Sequence, residues 1–142
     1  MHEIVNHQKK IRIDPQKFQE FLTEAFRIIE ETQNKSAAIA FVSDRKMREL
    51  NKQFRGKNAT TDVLSFPFEA DEFDLSENNL GDIIISLEQA ERQAAENDLA
   101  LETEIKQLIL HGILHLCGYD HETDTGKMNR LELLYRDKLA VA

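Results

Sequence analysis

The 142-residue chain has a single cysteine, Cys117, so no intrachain disulfide can form and nothing in its composition points to an oxidising compartment. Long apolar runs are missing as well. No stretch approaches the roughly 18 apolar residues of a membrane span, and Met1 to His7 has no signal-peptide core. These absences lead us to expect a soluble, unprocessed protein of the reducing cytoplasm, with no membrane partner. Positive charge is scarce: 18 basic residues face 26 acidic ones, a formal net charge of −8 that argues against coating nucleic acid by bulk attraction. Repeats, linkers and low-complexity tracts are absent too. Residues 1–142 therefore read as one domain, long enough to bury roughly two thirds of its unfolded surface without metal or disulfide staples.

What is present is the pattern of a soluble α/β protein, with 41% hydrophobic and 31% charged residues. Ile4 and Val5 allow a short first strand. Asp14 and Pro15 read as the N-cap and first position of a helix whose apolar face is Phe18, Phe21, Leu22, Ala25, Phe26 and Ile29. Ala37 to Val42 is a buried strand. Ser43 and Asp44 are candidate caps of a second helix that carries Met47, Leu50 and Phe54 inward and stops at Gly56. Val63 to Phe66 is a strand ended by Pro67, and residues 69–80, rich in acids, form an exposed connection. After Gly81-Asp82 comes the strand Ile83 to Ile85, and Ser86 with Gln89 offers a capping box for a helix to about Asn97. Glu102 to Leu116 is helical and apolar nearly all round, hence buried. A last helix from about Asp124 carries Met128, Leu131, Leu134, Tyr135 and Leu139. The order predicts a single domain with a small mixed sheet of about four strands covered by helices.

Two local features carry chemistry. Between Arg45 and Lys57, six basic residues against Glu49 give a segment of +5, leaving −13 elsewhere, so a local anion site is allowed. The second feature is the string from His111 through His115 and Gly118 to His121. Residues four apart share a helix face, so His111 and His115 can present two imidazoles to one ion. Gly118 can take the left-handed conformation that ends a helix and returns His121 as a third ligand. Three nitrogens leave a fourth position open, as in a catalytic rather than a closed structural site. Imidazole ligands suit zinc better than magnesium or calcium, and other divalent transition metals can substitute. The spacing is that of the metzincin proteases, but Gly112 stands where their general-base glutamate belongs. Gly112 serves either close approach to the metal or helix packing. Cys117 points off the ligand face and reads as a structural cysteine. Asp120 can orient an imidazole, assist proton transfer or stabilise the turn.

The histidine string, together with Asn51 to Lys57, Thr61 to Pro67 and Leu80 to Ser86, resembles the YbeY family of bacterial ribosomal RNA maturation factors in order and spacing across nearly the whole chain. The resemblance implies an α/β sandwich with a four-stranded mixed sheet and a metal-dependent endoribonuclease specific for single strands. It places one zinc ion on His111, His115 and His121 and a functionally important arginine at Arg55. It also implies action near the 3′ end of small-subunit (16S) rRNA, a part in ribosome quality control, and partnership with the small ribosomal subunit and its assembly factors; no DNA substrate is expected.

In that reading the catalytic candidates are Arg55 and His115. Arg55, whose planar fork suits a phosphate, binds substrate with Lys52 and Lys57 beside it. The nucleophile is either an activated water or the RNA 2′-hydroxyl, and Asp120, Tyr119 or a second water can protonate the leaving oxygen. Two other classes compete: a non-enzymatic ribosome-assembly factor in which zinc fastens the fold, and a metallopeptidase, which Gly112 disfavours.

Overall fold

The computed structural model describes residues 2–68, 78–120 and 126–141. In chain order the elements are β1 (Glu3–Asn6), α1 (Pro15–Ile28), β2 (Ser36–Val42), α2 (Asp44–Arg55), β3 (Val63–Pro67), β4 (Asn79–Ser86), α3 (Leu87–Glu96), α4 (Leu101–Leu116) and α5 (Lys127–Leu139), with a 3₁₀ turn at Glu30–Thr32. The sheet order is β1-β2-β4-β3; β1, β2 and β4 run parallel, and β3 lies antiparallel against β4 at the edge. Among the described residues no helix is long and apolar enough to cross a membrane.

The caps act where the sequence places them. Asp14 accepts from the Gln16 amide at 3.1 Å, Ser43 from Lys46 at 3.2 Å and Ser86 from Gln89 at 3.3 Å, each satisfying a helix-start N–H. Two boundaries differ from expectation. Pro67 lies inside β3, opposite Gly81, because an edge strand tolerates a residue without an N–H. β4 starts at Asn79, ahead of Gly81. Of the acidic connection expected at 69–80, residues 69–77 lie outside the described residues.

Strand alternation divides the core between the two sheet faces. Ala37, Ile39 and Phe41 of β2, with Ile83 and Ile85 of β4, join the large cluster filled by α1 and α4. Val42, Leu64 and Ile84 meet Met47 and Leu50 of α2 on the other face. Phe54, expected inward, is 55% exposed. It lies on the last turn of α2, where the helix has reached the edge strand, and its neighbour there is the ring of Phe66, in edge-to-face contact at 5.3 Å.

The buried character expected of α4 holds, polar residues included. Glu104 accepts from Asn97 Nδ2 at 3.0 Å and Gln107 donates to the Val141 carbonyl at 2.6 Å, so their burial is compensated. Position 112 is where this helix meets the sheet. A Cβ there would stand 3.0 Å from both Cδ1 and Cγ2 of Ile83, which is itself fully buried. Of the two uses open to Gly112, packing is the one observed.

α2 is fixed to α3 by a polar junction. Asp44 accepts from Ser86 Oγ at 2.6 Å, from Thr60 Oγ1 at 3.1 Å and from Arg92, while its own amide donates to Glu88 at 3.1 Å. Burial alone would raise the Asp44 pKa, but the hydrogen bonds from Ser86, Arg92 and Thr60 more than reverse this and hold it below 3.8.

Two outcomes are expected. Gly112→Ala should lower stability by about 1–3 kcal/mol through overpacking, outweighing the roughly 1 kcal/mol that alanine gains in a helix. Urea midpoints should show the loss, and pairing with Ile83→Ala should cost less than the two single losses summed. Because the folded Asp44 pKa is depressed, its contribution is present above 3.8 and is lost as pH falls through the lower folded value. Asp44→Asn should therefore be less stable than wild type at pH 7, with the gap closing below about pH 4 in denaturant titrations.

Candidate metal and phosphate site

The register of the edge strand explains where the site lies. Val63 and Ser65 of β3 pair with Ile85 and Ile83, which puts them on the sheet face that α4 covers. With Gly112 against Ile83, the neighbouring turns of α4 bring His111 and His115 over β3. These two histidines, with Arg55, Asp62, Ser65 and Asp120, line a cleft of about 430 Å³.

The two imidazoles converge. His111 Nε2 and His115 Nε2 are 3.0 Å apart. The Nδ1–H of His111 donates to Oε1 of Glu132 on α5, a residue 6% exposed, whose other oxygen accepts from Arg136. That bond favours the Nδ1–H tautomer of His111 and turns its Nε2 towards His115, where a bound ion would meet it. Two nitrogens bound to one tetrahedral ion at about 2.0–2.1 Å stand about 3.3 Å apart, close to the observed separation, so the donor set fits a zinc-like cation. Among the described residues no group of three or more His, Cys, Asp or Glu side chains forms a metal cluster. His121, the expected third ligand, lies outside the described residues.

The turn that follows α4 behaves as its sequence suggests. Gly118 has φ +98°, its amide donates to the His115 carbonyl at 3.0 Å, and Tyr119 N donates to Leu114 O at 3.1 Å, ending the helix at Leu116, one residue past His115. Cys117 is half-buried against the core, and burial pushes its thiol up to about 11, as befits a packing residue. Tyr119 donates to Glu31 at 2.5 Å, which raises its pKa to about 12 and holds the phenol against the turn after α1. Of the two side-chain proton donors open in the sequence, Asp120 is therefore the one that lines the cleft.

Arg55 enters the cleft from the C-terminal end of α2, where Gly56 at φ +69° closes the helix. Lys52 and Lys57 are exposed on either side of it and are not among the described residues lining the cleft. Sequence reasoning passed over Glu132, Asp62 and Ser65. A glutamate four residues after Met128, on the stripe that also carries Tyr135 and Leu139, was the available signal for Glu132. Asp62 immediately precedes β3 and Ser65 lies within it, both inside a motif already singled out, and the strand register was the missing information.

A model of the Endoribonuclease YbeY family matches residues 3–140. The chain belongs to this family. Proteins named endoribonuclease YbeY from Clostridioides difficile (42% identical; 76% of this chain, 74% of the relative), Aquifex aeolicus (46%; 77% and 73%) and Thermodesulfovibrio yellowstonii (36%; 92% and 91%) align with it. The solution structure of TM1509 from Thermotoga maritima superposes with a TM-score of 0.67 at 31% identity, covering 98% of this chain and 89% of that one. The four-stranded mixed sheet read from the sequence is thus the fold of a YbeY-type structure.

Within this family member, Glu132 is the test of the imidazole geometry. Glu132→Gln keeps the side-chain volume and removes the charge that favours the Nδ1–H tautomer. We expect it to fold normally by circular dichroism and to bind zinc about 10–100-fold more weakly in chelator competition.

Proposed function

We propose that this chain is a cytoplasmic, metal-dependent endoribonuclease. It cuts single-stranded RNA, near the 3′ end of small-subunit rRNA, during ribosome maturation and quality control. One observation carries the reading: a converging pair of imidazoles and an arginine line one cleft in a member of the endoribonuclease YbeY family. His111, His115 and His121 hold one divalent ion, zinc by ligand type. When bound, such an ion acidifies a coordinated water to a pKa of about 7 and polarises a phosphoryl oxygen.

The protein's own groups do the rest. Glu132 keeps His111 in its ligating tautomer. The Arg55 guanidinium grips two phosphate oxygens and offsets the charge that grows in the transition state. Asp120 is placed to move a proton in the cleft. Lys52 and Lys57 act from outside it, drawing the RNA backbone towards the site. Proteolysis by the metzincin route has no place for its general base, since position 112 faces Ile83 rather than the cleft.

The decisive experiment is single-turnover cleavage of a defined RNA with and without metal, set beside a peptide library. Wild type should cut the RNA and no peptide. Alanine at His111, His115 or His121 should reduce both metal content and cleavage; full metal in all three variants would refute the ligand assignment. Arg55→Lys should slow cleavage at saturating RNA, by as much as about 10²–10³-fold. Lys52→Ala and Lys57→Ala should instead weaken binding and flatten its log–log salt dependence by about 0.7 per lost contact.

A further inference from the structure

We propose that Phe54, seated against Phe66, is a stacking platform for an unpaired RNA base next to the phosphate held by Arg55. This deepens the RNA reading above and rests on it. The ring of Phe54 is 55% exposed although its position in the helix repeat faces the sheet. It sits in a run, Lys52 to Ala59, that is exposed throughout, and it stands among Lys52, Arg55 and Lys57. An apolar ring displayed amid like charges is poorly placed for a neutral or basic partner. A polyanion with flat apolar groups matches both features at once.

The ring is also held in place. Phe66 meets it at 5.3 Å between centroids with 66° between the planes, an edge-to-face contact that supports one side of the ring. Its position relative to the cleft follows from β3. Ser65 and Pro67 line the cleft, and Phe66 between them belongs to the opposite sheet face, packed with α2. Arg55 follows Phe54 directly and lines the cleft from that side. An RNA strand with a phosphate in the cleft therefore crosses the β3 edge to lay a neighbouring base on Phe54. Every base has a π-face, so the platform tolerates any sequence. Bases already stacked in a duplex cannot reach it, which makes the same ring a selector for single strands.

The test compares two 2′-O-methyl oligomers of equal length, one of adenosine and one with abasic sugars, binding to the full-length metal-loaded protein by fluorescence anisotropy. Phe54→Ala should weaken the adenosine oligomer about five-fold or more. Binding of the abasic oligomer should stay unchanged, and Phe54→Trp should retain the wild-type preference. A 2-aminopurine placed in the adenosine oligomer should be quenched by wild type and less so by Phe54→Ala. Equal loss for both oligomers makes Phe54 a packing residue and overturns the inference. No loss for either leaves RNA binding intact and also overturns it. Wild type that binds neither oligomer overturns this inference and the RNA reading together.

Discussion

The tight packing of α4 on the sheet at Gly112, over the fully buried Ile83, sets the geometry on which the site depends. A side chain at that position would press on Ile83 and force α4 or that side chain to give by a few tenths of an ångström. His111 and His115 lie on the same two turns and would follow any such shift of the helix, away from Ser65 and Val63 on the edge strand. The missing protease glutamate and the placement of the imidazoles thus have one cause. The residue that cannot be large is also the one that faces inward.

A second constraint works from the other face of the sheet. Arg55 is carried by α2, whose start is tied by Asp44 to Ser86, Thr60 and Arg92. Ser86 also caps α3, so the ends of β4, α2 and α3 meet at one carboxylate. The helix that delivers the cation to the cleft is anchored at its far end, about 16 Å away at 1.5 Å per residue. The rigidity of that rod turns a junction remote from the cleft into a determinant of where the guanidinium sits. Charge is arranged along the same rod: a segment of +5 on a chain that is otherwise −13 gives an approaching polyanion one favourable face.

Most of the fold was legible because it is written in local signals. Asp14-Pro15, Ser43, Ser86 and Gly118 act within one turn of themselves, and strand alternation along β2 and β4 already separates the two core clusters. The pairing of His111 with His115 was legible for the same reason, since four residues along a helix fix a shared face. What could not be read depends on elements distant in sequence. Glu132 reaches His111 across 21 positions, a pairing that no local pattern announces. Phe54 misled because periodicity specifies a direction but not whether anything lies there. At the final turn of α2 the sheet has run out to its edge strand.

The Glu132 bond has a consequence for synthesis. Translation delivers β3, Arg55 and both imidazoles before α5. Until α5 has emerged and packed, His111 lacks the carboxylate that sets its tautomer. A chain interrupted before residue 127 carries the histidines without their orienting partner. The orienting bond therefore forms later than the helix that carries the histidines, once α5 has followed it and packed.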